Sequence, residues 1–150
     1  YWAAKAVLKD DKFDNYDKGI FSIYFFNIVN IQAGEGIFQD AGVPHAYLEG
    51  QNMELMANSD NVFRGGLTAK HVDVNELMQH LLFESISPKV LVGEEGLAHE
   101  RVFTTPAPDF ELSQISLEKG ETFLKKRQEG PAIYILVSGK IATENPFFSG

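Results

Sequence analysis

Apolar residues in this chain come in short runs, each broken by glycine, proline or asparagine after roughly ten residues, a spacing that favours many short strands over long helices. Residues 20–31 read Ile-Phe-Ser-Ile-Tyr-Phe-Phe-Asn-Ile-Val-Asn-Ile, with Phe21, Ile23, Phe25, Val29 and Ile31 on one face at period two. The other face is also largely apolar, which predicts one or two strands covered on both sides. Gly34-Glu35-Gly36 is a turn, Ile37-Phe38-Gln39 starts the next strand, Gly42-Val43-Pro44 breaks it, and residues 45–49 can resume it. Gln51-Asn52 is a second turn before a strand at Met53 to Ala57. Further strands are predicted at 89–92, 101–104, 110–117, 122–126 and 132–137. The twelve phenylalanines of the 150 residues suit such a core, because aromatic rings favour strands. The expected class is mainly β, a sandwich or barrel.

One helix interrupts this pattern. Asp73 can cap it, with Glu76 as reciprocal partner, and Val74, Leu77, Met78, Leu81 and Leu82 recur at i, i+3, i+4, i+7 and i+8. The inserted helix is therefore expected around residues 73–83, followed by a loop-rich connector. Val29 to Phe38 also echoes Ile115 to Leu124, both reading strand, Gly-Glu turn, strand. In that register Pro131 falls opposite His45 and Ile133 opposite Tyr47, so the second copy keeps scaffold without chemistry. Two such units suit a double jelly roll.

Composition narrows the function. A formal net charge of −8 and no basic stripe argue against general nucleic-acid binding, and Lys125-Lys126-Arg127 reads as a solvated strand end. There is no cysteine, which excludes disulfides and thiolate metal sites and suits a cytoplasmic protein. No apolar run has the length of a membrane span, and the first residues are not a signal peptide. Tyr1 to Leu8 has helical composition without an initiator methionine, and Phe147-Phe148 follow closely on a strand, so the chain reads as a fragment of a longer protein.

Chemistry concentrates between residues 44 and 70. His45 follows a proline and precedes alternating residues; pointing into a barrel it could hold a metal, or it could be a core histidine bonded to a backbone carbonyl. Tyr47 and Glu54 fall on either side of the 50–52 turn, where Glu54 could serve as base, ligand or acceptor, or be an exposed strand carboxylate. Arg64 precedes Gly65-Gly66, which admits close approach; its planar fork suits phosphate or enolate charge, or a surface ion pair. Lys70 could be a point charge for phosphate or a solvated residue. Ser59-Asp60-Asn61 is a polar turn expected to fix the Arg64 loop through local hydrogen bonds. His71, His80 and His99 lack ligand spacing and receive no role. One suitable histidine among four leaves a tetrahedral zinc site short of the three or four ligands it needs.

The run from His45 to Lys70, with the flanking Tyr16-Asp17-Lys18-Gly19-Ile20-Phe21, Asn27 and Ala33-Gly34-Glu35, closely resembles the signature of type I mannose-6-phosphate isomerases. The resemblance is sharp over residues 13–83 and weaker from 84 to 150. It implies a zinc-dependent cupin enzyme, built as a double-stranded β-helix, that interconverts mannose 6-phosphate and fructose 6-phosphate. His45 matches a zinc ligand, Arg64 the catalytic arginine, and Tyr47, Glu54 and Lys70 pocket positions. The family's other zinc ligands, a Gln-x-His pair and a glutamate, lie upstream; no Gln-x-His occurs here, so this stretch alone is expected to be incomplete and inactive. Phe63, Gly65 and Ala69 stand where the family usually has an aliphatic residue, alanine and proline. The organisation so implied is the end of a preceding helical segment over 1–12, a cupin unit with the active-site motif over 13–70, a helix and connector over 71–109, and a truncated, degenerate cupin unit over 110–150.

Three functions fit: a fragment of the isomerase, a non-catalytic sugar-phosphate-binding cupin, and a structural domain with a vestigial pocket. In the first, a proton moves between C2 and C1 through a cis-enediol, with Arg64 on the developing charge and Glu54 the local candidate for base.

Overall fold

A computed structural model describes residues 1–8, 16–125 and 130–144. Readings that fall on 9–15, 126–129 or 145–150, including Lys126, Arg127, Phe147 and Phe148, lie outside the described residues. The chain divides into two compact units, Tyr1–Ser116 and Leu117–Gly150.

The first unit begins with helix α1, Trp2–Leu8, where helical composition predicts it. The next element corrects the sequence reading. Lys18–Phe21 forms a 3-10 turn that runs directly into a one-turn helix α2, Ser22–Phe25, where a strand was expected from residue 20. The cause is local capping. The Asp17 carboxylate accepts a hydrogen bond from the Gly19 N–H at 2.7 Å, and the Ser22 hydroxyl donates to the Gly19 carbonyl. A run that is apolar on both faces carries little periodicity of its own, so these bonds decide its conformation. From Phe26 the chain turns extended, at φ −84° and ψ 149°, but pairs with no strand among the described residues. Its anchor there is the Asn27 side-chain amide, which donates to the Ile86 carbonyl at 2.8 Å.

The sheets are antiparallel and small, with few and short helices beside them. Strand β1, Gly36–Ile37, pairs with β2, Val90–Leu91, placing Gly36 opposite Leu91. A three-stranded sheet follows in the order β3, Glu94–Glu95, then β4, Glu100–Phe103, then β5, Leu112–Ile115. These strands fall within the predicted 110–117 segment and on or beside those at 37–39, 89–92 and 101–104. Segments 45–49, 53–57 and 132–137 form no strand, nor do residues 122–125 of the predicted 122–126 strand.

Among the described residues Phe103 is the buried apolar side chain, and it joins the two sheets. Its ring lies 3.2 Å from where a Cβ on Gly36 would stand and 3.7 Å from that of Gly93. Glycine at both places lets the ring reach across from β4 to β1. Glu100 is buried on the same strand, and its carboxylate accepts from the Leu97 N–H at 3.3 Å.

Helix α3, Val74–His80, forms where capping chemistry and periodicity place it. The Asp73 carboxylate accepts from the Glu76 N–H at 3.0 Å, the expected N-cap bond. Leu77 and Leu81 are half-buried, while Val74, Met78 and Leu82 remain exposed.

The sequence echo reappears as a repeated turn. In the first unit the Glu35 N–H donates to the Gln32 carbonyl at 3.0 Å, and the Glu35 carboxylate accepts from the Gln32 N–H at 2.7 Å. In the second unit Glu121 and Glu118 make the same two bonds at 3.1 and 2.7 Å. Gly34 and Gly120 sit third in these turns at φ +86° and +91°, the positive value that a type II turn requires there. No helix among the described residues is long and apolar enough to cross a membrane.

Candidate functional site

The segment after the first turn carries His45 on an exposed loop rather than inside a barrel wall. Its Nδ1 lies 3.0 Å from the Val43 carbonyl. That oxygen can only accept, so the contact calls for a proton on Nδ1, which in the neutral ring leaves the lone pair on Nε2, the tautomer a metal-binding imidazole needs. The backbone-bonded histidine and the ligand histidine, alternatives in the sequence, are thus compatible in one geometry. No group of three or more His, Cys, Asp or Glu side chains is placed to hold a metal among the described residues. His45 fits zinc as one ligand, and these residues do not complete the set.

Tyr47 joins His45 on one side and Glu54 on the other. The His45 and Tyr47 rings meet edge to face, centroids 6.1 Å apart. Burial raises the Tyr47 pKa, and the negative charge of Glu54 and the hydrogen bond its carboxylate accepts raise it further; Asn52 acts in the opposite sense. The phenol is therefore held neutral to higher pH than usual, as a proton donor. Tyr47 and Glu54 come together as the sequence predicts, but across a loop with Gly50 at φ +113° rather than across two strands.

Arg64 and Lys70 are exposed. Among the described residues no hydrogen bond, ion pair or ring contact joins either side chain to His45, Tyr47 or Glu54. The Asn61 N–H donates to the Ser59 hydroxyl at 3.1 Å and the Val62 N–H to the Asp60 carbonyl at 2.8 Å, the local bonds expected of that turn. The Lys70 N–H donates to the Thr68 hydroxyl at 3.2 Å, a bond made by the backbone that leaves the ammonium to solvent.

Two contributions were not legible in the sequence. The first is the end of α3, which touches both halves of the motif. The Leu82 N–H donates to the Gly42 carbonyl at 2.9 Å, just before His45. A Cβ on Gly42 would stand 2.7 Å from the His80 carbonyl, so only glycine permits this approach. The His80 imidazole stacks on Phe63, centroids 5.1 Å apart and planes 5° from parallel, next to Arg64. His80, which ligand spacing left without a role, is thus a packing partner, and the unusual Phe63 supplies the other ring. The second is Asp17, whose carboxylate also accepts from the Leu67 N–H at 2.6 Å. An Asp-x-Gly step ahead of Gly-Gly was the available signal. A separate hollow of about 480 Å³ beside β4 and β5, lined by His99, Arg101, Gln114 and Ser116 among others, includes none of the motif residues.

Comparison with curated proteins decides the family. The chain is 37% identical over 136 residues to mannose-6-phosphate isomerase 2 of Arabidopsis thaliana, an alignment covering 91% of this chain and 31% of that protein. It is 40% identical over 124 residues to the Escherichia coli K12 mannose-6-phosphate isomerase, covering 82% of this chain and 31% of the relative. The chain belongs to the mannose-6-phosphate isomerase family. The Macaca fascicularis mannose-6-phosphate isomerase is 35% identical over 135 residues, covering 87% and 32% respectively. The chain thus spans about a third of the length of the isomerases it matches. No family model matches it. No solved structure matches it either.

Proposed function

We propose that this chain is the carboxyl-terminal, double-cupin portion of a zinc-dependent isomerase that interconverts mannose 6-phosphate and fructose 6-phosphate. The observation that carries the reading is the grouping of His45, Tyr47 and Glu54 within a family whose relatives bear that enzyme's name. The repeated Gly-Glu turns support the double-cupin architecture. A cytoplasmic location belongs to the same proposal, supported by the absence of cysteine.

His45 would hold zinc through Nε2, with the remaining ligands in the part of the relatives that this chain does not span. Zinc, when bound, supplies Lewis-acid polarisation and a template for sugar oxygens. The chain's own residues do the rest. Isomerisation removes the C2 proton of the aldose and delivers a proton to C1, while a hydroxyl proton passes between O1 and O2; the reaction is redox-neutral overall. Glu54 is positioned as the proton carrier. The adjoining Tyr47 hydroxyl, on which the Glu54 charge acts, is the group that would orient it. The neutral Tyr47 hydroxyl can donate to a sugar oxygen. Arg64 stabilises negative charge as the cis-enediolate forms, an interaction that strengthens toward the transition state. Lys70 meets the phosphate, and the two cations offset locally a net charge of −8 that repels an anionic substrate.

The test is a coupled assay of the full-length protein on mannose 6-phosphate, with and without a chelator, alongside metal content. Chelator-sensitive turnover with about one zinc per chain is the expected result. In the same protein Arg64→Ala should lower kcat by about 100- to 1,000-fold with zinc content unchanged. A folded, zinc-loaded parent without turnover would overturn the enzyme reading and leave a sugar-phosphate-binding cupin; near-normal kcat in Arg64→Ala would remove Arg64 from its role.

A further inference from the structure

Arg64 sits in a loop whose backbone is set by a carboxylate fifty positions earlier in the chain. Asp17 uses both oxygens: Oδ1 accepts from the Gly19 N–H at 2.7 Å and Oδ2 from the Leu67 N–H at 2.6 Å. The two segments it bridges touch through bare backbone. A Cβ on Gly19 would lie 3.0 Å from both Gly66 Cα and Leu67 N, and one on Gly66 would lie 2.9 Å from Gly19 Cα. Gly66 stands at φ +127°, and Leu67, a branched residue, is held at φ 52°. A leucine keeps that left-handed conformation only where its surroundings over-determine it, and here the bond from Asp17 does so.

Arg64 lies between this clamp and a second anchor. Phe63, one residue before it, stacks on His80, while Gly66 and Leu67, two and three residues after it, are pinned by Asp17. Gly65, in between, has open space where a Cβ would be, so its own packing fixes nothing. The direction in which the guanidinium is presented therefore depends on the anchors at its two ends.

We propose that Asp17 is a positioning residue for Arg64: the Asp17 clamp on Gly19 and Leu67 sets the loop that aims the guanidinium at the reacting oxygens. This rests on the isomerase reading, and it assigns to Asp17 an effect on turnover exerted through Arg64.

The experiment uses the full-length protein. Asp17→Asn keeps the size of the side chain and one acceptor oxygen, and loses the charge and the second acceptor. The expected result is a fall in kcat of about 100-fold, the scale on which a misplaced catalytic group costs rate, with KM little changed and faster hydrogen exchange at the Leu67 amide. Combined with Arg64→Lys, Asp17→Asn should cost little more, because both changes disable one arrangement. A merely structural weakening would cost the same factor in either background. If Asp17→Asn does not fold, Gly19→Ala reads the same cycle, since its Cβ displaces the loop from the opposite side. Wild-type kcat in Asp17→Asn, or additive losses in the cycle, overturns the proposal. A parent that does not turn over mannose 6-phosphate refutes the isomerase reading separately. The clamp is then decided by Leu67 exchange alone: unchanged protection in Asp17→Asn overturns it, and lost protection upholds it.

Discussion

Tyr47 lies between the ring of His45 and the carboxylate of Glu54, on a loop rather than between strands. Burial and the Glu54 carboxylate together raise the pKa of the phenol. The pairing predicts the effect of Glu54→Gln. Removing the carboxylate charge makes ionisation easier, so the Tyr47 titration, followed by tyrosinate absorbance against the parent protein, should move down toward the ordinary tyrosine range. An unmoved midpoint would mean that Glu54 does not act on the phenol. The linked stability has a definite sign. With its pKa raised in the folded state, Tyr47 contributes fully at pH values below the ordinary tyrosine pKa, and that contribution is lost as pH rises through the raised value. The Tyr47–Glu54 pair is legible from spacing across one turn, whereas the Asp17 bond to Leu67 spans fifty residues, and its Asp-x-Gly step marks the turn but not the distant partner.

Among the elements, the ones with their own local chemistry were the legible ones. Helix α3 has a capping aspartate and a helical apolar repeat, and it forms within the predicted range. The 20–31 segment has apolar residues on every side, and the hydrogen bonds of Asp17 and Ser22 curl its first residues into helix. Because the end of α3 supports both the His45 segment through Gly42 and the Arg64 segment through Phe63, loosening this helix should be felt at the site. Asp73→Ala removes the bond to the Glu76 N–H, and the expected cost is about 1 kcal/mol of stability. Chemical denaturation of the full-length protein measures it. A change within error would show that solvent caps the helix equally well. The fall in stability should be accompanied by a lower kcat, since a frayed α3 shifts Gly42 and Phe63 together.

At the scale of the whole molecule, the antiparallel β character and the repeated Gly-Glu turn were readable because each rests on short-range pattern, whereas the burial of the apolar runs was not. Phe103 is the buried apolar side chain among the described residues, while Phe25 is 81% exposed, Phe83 71% and Ile133 89%. Apolar surface on this scale is costly in water, at about 25 cal/mol for each Å² left uncovered. The strands predicted at 45–49 and 53–57 need a neighbouring strand to complete their hydrogen bonds, and the described residues provide none. Both deficits have the same solution if, as proposed, the chain is part of a longer isomerase whose other segments pack against these ones; the chain spans about a third of the relatives' length. The 150-residue chain expressed alone should then bind an environment-sensitive apolar dye strongly and associate with itself, and the full-length protein should do neither. Adding the proposed further portion as a separate chain should suppress the dye signal and bring protection from hydrogen exchange to residues 45–57. Equal dye binding by the two proteins would show that the proposed further segments leave these faces open. The apolar runs would then need another partner to explain their composition.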